Sequence, residues 1–121
     1  MKRILAVDDE PHILKLVAFS LKSGGYDVLE ASDGLSAIEV ARAEQPDLVL
    51  MDVMMPALDG YEACRRMKAD PQTAEIPVMM LTAKTQVAEQ QAGRDAGAIG
   101  YVNKPFTPKE LVATVREFLG E

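Results

Sequence analysis

Leu48-Val49-Leu50-Met51-Asp52, continuing through Val53-Met54-Met55-Pro56-Ala57-Leu58-Asp59-Gly60, decides how the rest of the chain is read. Its first four residues form an apolar run with no polar side, as expected of a strand covered on both faces. The run ends in a carboxylate, passes a proline and reaches Asp59-Gly60, where a helical pattern starts. A second run of this kind, Val78-Met79-Met80-Leu81, ends in Thr82. Weaker runs at Ile4–Val7, Val28–Glu30 and Ile99–Val102 bring the number to five.

Helical patterns fill the intervals. Ile13, Leu14, Val17, Ala18 and Leu21 recur at helical spacing behind Pro11, a good first-turn residue, and Gly24-Gly25 stops them. Leu35, Ile38 and Ala41 mark a second helix before Pro46, and Tyr61, Cys64 and Met67 share one face of a third. The fourth, Thr85 to Ala96, is polar apart from Val87 and a few small residues, which predicts a loosely anchored helix able to move. The fifth opens with a capping box of Thr107, Pro108 and Glu110, and Leu111, Val115 and Phe118 or Leu119 supply its buried face. Strand–helix alternation throughout predicts an α/β, doubly wound (βα)5 fold with a five-stranded parallel sheet, and residues 1–121 read as a single domain. Right-handed crossovers then place every strand's carboxyl end on one edge of the sheet, where ligands bind at the reversal of strand order.

The bulk properties agree. A chain of 121 residues suits one compact domain with its own core. Nineteen Asp and Glu against thirteen Lys and Arg give a net charge of −6, which argues against nucleic acid or an anionic membrane as a direct partner. The single Cys64 excludes an internal disulfide and a cysteine-built zinc cluster, and fits a reducing compartment. Ile4–Val7 is too short for a signal peptide, and no stretch approaches a membrane span, so a cytoplasmic protein is expected.

The carboxyl edge carries the chemistry. Strand one runs into Asp8-Asp9-Glu10, strand three ends in Asp52, strand four in Thr82, and strand five leads to Asn103-Lys104-Pro105. Two carboxylates about 4 Å apart repel by roughly 4 kcal/mol at an effective dielectric near 20, so a cluster of three must protonate, splay or bind a cation. Hard carboxylate oxygens with room for water suit Mg²⁺, whose shell phosphate oxygens commonly complete. Lys104 adds an ammonium able to pair with Asp52 and with a phosphoryl oxygen, and Thr82 adds a hydroxyl. Phosphoryl transfer asks for this equipment: positioning and charge neutralisation around a nucleophile, here the Asp52 carboxylate, with Asp8 and Asp9 holding the ion.

With these residues in view, the chain resembles the response regulator receiver domain of two-component signalling and is similar to the chemotaxis response regulator. The likeness rests on Asp8-Asp9, on Met51 to Gly60, on Leu81-Thr82-Ala83, and on Tyr101 with Lys104-Pro105-Phe106, and it spans essentially the whole chain. It implies a flavodoxin-like strand order 2-1-3-4-5. It implies that Asp52 accepts phosphate from a histidine kinase or phosphotransfer domain, and that Asp8 or Asp9, Asp52 and the backbone carbonyl of Met54 coordinate Mg²⁺. Thr82 would then swing toward the phosphoryl group while Tyr101 turns inward. The helix 4, strand 5 and helix 5 surface would follow, to meet a downstream effector protein or domain. The chain would act as a monomer or a phosphorylation-dependent dimer, and the Lys104-Pro105 bond would be cis. Met54 and Lys84, two residues after the phosphoacceptor and the switch threonine, hold positions that tune phosphate lifetime, and Gly100 stands where many relatives carry a polar or acidic residue.

Other readings compete. A Mg²⁺-dependent aspartyl-phosphate phosphatase usually carries a second acid two residues after its nucleophile; Met54 stands there instead, so no built-in proton donor serves outside substrates. A flavin carrier of similar fold needs a hydroxyl- and glycine-rich phosphate loop after strand one, where Asp8-Asp9-Glu10 would repel a flavin phosphate. Tyr101 could be a plain core aromatic. Met51, Met79 and Met80 read as core filling, His12 as a surface residue and Cys64 as a buried small hydrophobe. Little sequence follows the fifth helix before Gly120-Glu121, so a stand-alone regulator and a receiver cut from a longer protein both remain open.

Overall fold

The computed structural model describes residues 2–83 and 87–121. Five strands alternate with five helices: β1 (Arg3–Val7), α1 (Pro11–Ser23), β2 (Asp27–Ala31), α2 (Gly34–Glu44), β3 (Leu48–Asp52), α3 (Gly60–Ala69), β4 (Val78–Thr82), α4 (Val87–Ala96), β5 (Gly100–Asn103) and α5 (Pro108–Leu119). The strands form one parallel sheet in the order β2-β1-β3-β4-β5. This is the expected doubly wound (βα)5 arrangement.

The all-apolar runs explain the layering. Every residue of β3 and β4 is buried, because alternate side chains feed two cores on opposite faces. Leu5, Val7, Val49, Met51, Val78 and Met80 face α2, α3 and α4, where they meet Ala37, Ile38, Ala63, Cys64, Met67 and Ala96. Ile4, Ala6, Leu48, Leu50, Met79 and Leu81 face α1 and α5, against Leu14, Val17, Leu21, Leu111 and Val115. Met51, Met79, Met80 and Cys64 are fully buried and His12 is exposed, as the pattern implied.

Helix boundaries follow local chemistry. Pro11 opens α1, and Gly24 ends it with its amide shared among the last carbonyls. Asp33 and Asp59 cap α2 and α3 by accepting the amides of Ser36 and Glu62. Thr107 and Glu110 complete the capping box of α5 reciprocally. One expectation needs correction. Leu35 is exposed rather than part of the α2 core; small residues, Gly34, Ala37 and Ala41, with Ile38 form the buried side and let the helix lie close to the sheet. In α5, Leu111 and Val115 are buried and Leu119, rather than the exposed Phe118, completes the inward face as one of the two residues expected there. Lys84 and Thr85 lie outside the described residues. Among the described residues no helix is long and apolar enough to cross a membrane.

Candidate phosphoacceptor site

The order β2-β1-β3 reverses direction between β1 and β3, opening a crevice beyond their carboxyl ends. Asp8 follows β1 directly and its amide still reaches across to Ala31 O, so the residue is fixed at the sheet edge. Asp52 is the last residue of β3, and Val53 N donates to Leu81 O, which pins the strand end against β4. Thr82 closes β4. Its carbonyl accepts the Lys104 amide at 2.8 Å, anchoring the segment just after β5.

Gly60 explains how α3 begins so close to this edge. A Cβ built there would collide with the backbone oxygen of Asp52 and stand 3.0 Å from Val53 Cα. Its amide donates to Val53 O at 3.0 Å. Beyond marking a helix start, the Asp-Gly pair lets α3 pack directly on the backbone that carries Asp52, because the glycine has no Cβ. Between them the loop makes a tight turn in which Leu58 N donates to Pro56 O and Ala57 takes a φ of 66°. A three-residue turn with positive φ at its centre is a strained γ-turn.

The polar side chains converge. Asp8 and Asp52 are almost fully buried, whereas Asp9 is exposed at the rim. One carboxylate oxygen from each of Asp8, Asp9 and Asp52 lies within 4.8 Å of the others. Lys104 Nζ bridges the two buried carboxylates, 3.1 Å from Asp8 Oδ2 and 2.9 Å from Asp52 Oδ1. The sequence suggested the pairing with Asp52; the equal claim of Asp8 on the same ammonium it did not. Asp8 Oδ1 accepts the Glu10 amide, which turns the acidic run toward the crevice. Thr82 is buried at the same edge. Lys104-Pro105 is cis.

Burial pushes the Asp52 carboxyl above its ordinary value. Lys104 and the Met54 amide pull it back by hydrogen bonding and the Asp8 charge adds to the rise, leaving a net upward shift. For Lys104, burial works against the ammonium, but the hydrogen bonds and charges of Asp52 and Asp8 outweigh it and hold the group above its ordinary value. The lysine is therefore a fixed positive charge. Three carboxylates against one ammonium leave two negative charges, and oxygen donors with that deficit fit a hard divalent cation such as Mg²⁺.

Tyr101 is half-buried on β5 and packs against the core under α2, α3 and α4. The side chain of Met54 is 70% exposed, beside the crevice. Lys84 lies outside the described residues.

Comparison with known proteins agrees with this geometry. The response regulator receiver domain family matches residues 4–116. The chain is 45% identical to the DNA-binding dual master transcriptional regulator RpaA of Synechocystis sp., over 98% of this chain and 49% of that protein. It is 44% identical to the alkaline phosphatase synthesis transcriptional regulatory protein PhoP of Bacillus subtilis, over 98% of this chain and 48% of that protein. Among solved structures, chemotaxis protein CheY4 of Vibrio cholerae superposes with a TM-score of 0.92 at 35% identity, covering 97% of this chain and 98% of that one. The receiver domain of a sensor histidine kinase of Pseudomonas aeruginosa, with a magnesium ion coordinated in its active-site cleft, superposes at 0.90 with 32% identity, covering 99% and 98%. The chain belongs to the response regulator receiver domain family of two-component systems. Such domains are signalling proteins rather than enzymes acting on outside substrates, and the phosphatase reading is not favoured. The chain spans about half the length of the curated relatives it matches.

Proposed function

We propose that this chain receives a phosphoryl group on the Asp52 carboxylate from the phosphohistidine of a histidine kinase or phosphotransfer domain. The observation that carries the reading is the Asp8–Lys104–Asp52 bridge, which presents a buried carboxylate next to a fixed cation. An Asp52 oxygen attacks phosphorus, the donor's N–P bond breaks with its electron pair returning to the imidazole, and an acyl phosphate forms. Asp8, Asp9 and Asp52, with the backbone carbonyl of Met54, would hold Mg²⁺, a reading supported by the clustered carboxylates and by the magnesium ion in the active-site cleft of the similar sensor-kinase receiver. When bound, that ion neutralises charge on the phosphoryl oxygens. Lys104 stays charged and pairs with an oxygen of the incoming group, and the Met54 amide already points at the same carboxylate.

Thr82 and Tyr101 relay the change. Thr82 supplies a hydroxyl to the phosphoryl group from the end of β4, and Tyr101, paired in register with Met80 on that strand, alters its packing under α4. The α4–β5–α5 surface then changes its affinity for a downstream effector protein or domain, as a monomer or a phosphorylation-dependent dimer. Met54, exposed beside the carboxylate, shields the acyl phosphate from water. Incubation with acetyl phosphate and Mg²⁺ tests the core of the reading. The wild-type chain should gain one phosphoryl group by intact mass and Asp52→Ala none; equal labelling of both would end the assignment.

A further inference from the structure

Gly93 stands inside α4, one turn before the end of the helix, where glycine is the least favourable residue other than proline. Its carbonyl still accepts the Ala98 amide at 2.9 Å, and the Gly97 amide bonds Arg94 O at 2.9 Å, so the last turn is regular and capped. Helix geometry therefore gives no reason for a missing side chain here. The reason lies on the neighbouring strand β5. A Cβ built at Gly93 would run into the hydroxyl of Tyr101 and stand 2.9 Å from its Cε1 and Cζ. Carbon atoms do not approach that closely, so an alanine and this placement of the ring exclude each other.

We infer that Gly93 is a notch in α4 that seats the Tyr101 ring, and is the positioning residue that decides whether this tyrosine lies in the α4–β5 crevice. The inference deepens the proposed function, because it rests on Tyr101 as the switch aromatic. Gly93 is buried, and Ala96, one turn on, belongs to the core against which Tyr101 packs. The inward side of this turn is thus built from small residues that leave room for one aromatic ring. Filling the notch has one inexpensive escape. Shifting the helix would disturb the packing of the buried Ala96, whereas the tyrosine need only rotate about χ1 to another staggered position. A methyl group at position 93 should therefore expel the ring rather than move the helix.

Two measurements test this on the whole chain. In the first, 3-fluorotyrosine labels Tyr26, Tyr61 and Tyr101, the three tyrosines present, and ¹⁹F NMR follows each, with Tyr101→Phe assigning its signal. Gly93→Ala should shift the Tyr101 signal and expose it to a soluble paramagnetic quencher, with the other two unmoved. An unmoved Tyr101 signal overturns the inference. In the second, thermal unfolding compares Gly93→Ala in the wild-type and Tyr101→Ala backgrounds. Alanine should be more favourable where the ring is absent, since only helix propensity then acts. The same response in both backgrounds overturns the seat, and a merely helical role for position 93 predicts that equality. Beryllofluoride with Mg²⁺ separates the seat from the switch. Loss in Gly93→Ala of a wild-type Tyr101 shift supports both, whereas a wild-type signal indifferent to beryllofluoride, with the ring still expelled by Gly93→Ala, upholds the seat and removes Tyr101 as the switch.

Discussion

Replacing Lys104 by methionine removes an ammonium from between two buried carboxylates while keeping most of the side-chain stem. Asp8 and Asp52 have side chains only 1% and 5% exposed, and Lys104 itself is 19% exposed, so water can screen little of what is left. Their ligand oxygens lie within 4.8 Å. Like charges at about that separation repel by about 3.5 kcal/mol at an effective dielectric near 20. Independently, deleting one partner of a buried ion pair costs about 3–5 kcal/mol. Both routes give a loss of about 3 kcal/mol, a large part of the roughly 5–15 kcal/mol that holds a small domain together. Urea unfolding of metal-free protein at neutral pH should show it as a midpoint lowered by about 1.5 M, given slopes near 2 kcal/mol per molar for small domains. Mg²⁺ should then stabilise Lys104→Met more than wild type, because three carboxylates without an ammonium form a stronger cation site. A midpoint shift under about 0.3 M, roughly a fifth of the expected change, would refute the bridge as the element that balances this charge. Equal stabilisation of both proteins by Mg²⁺ would refute the charge count.

Three further outcomes follow from other parts of the molecule. Ala57 holds a φ of 66° in an exposed turn, so Ala57→Gly should raise stability by about 0.5–1 kcal/mol, the left-handed strain relieved less the extra freedom of glycine in the unfolded chain; urea midpoints decide it, and a loss of stability would contradict the strain. Burial, reinforced by a hydrogen bond to Glu121, pushes the Tyr26 phenol up to about 12 from 10.0. The folded state thus keeps this proton longer than the unfolded one, and stability present below about pH 10 falls as the pH rises through 12, by about 1–2 kcal/mol after allowance for the exposed Glu121 end; Tyr26→Phe should lose this alkaline dependence, and parallel curves for the two proteins would refute it. Met54→Asn should shorten the lifetime of phosphate on Asp52 several-fold if the exposed thioether shields it, and an unchanged lifetime removes the shielding role.

Legibility in the sequence followed the physical origin of each feature. The layers and strand positions could be read because β3 and β4 are apolar on both faces and the helices repeat their apolar residues at helical spacing. The site could be read in outline because Asp8, Asp52, Thr82 and Lys104 each stand at a strand's carboxyl end, and the topology collects those ends. Spacing does not tell which oxygen an ammonium will take, so the bridge to Asp8 emerged only with the fold. Periodicity points Leu35 inward, yet α2 approaches the sheet through alanine and glycine, a pattern too weak in hydropathy to outvote a leucine. Gly60 and Gly93 carried no signal as contacts, because what matters about them is an atom that is missing beside a neighbour distant in sequence.

Lys104 is fastened at both ends, by its amide to the tip of β4 and by its amine to the tips of β1 and β3. β5, one of the two edge strands, has a single neighbour in the ladder. Its second mooring is thus ionic, and its tension varies with whatever rests on Asp52. A border strand that hydrogen bonds alone would hold indifferently becomes answerable to the occupancy of a crevice two strands away.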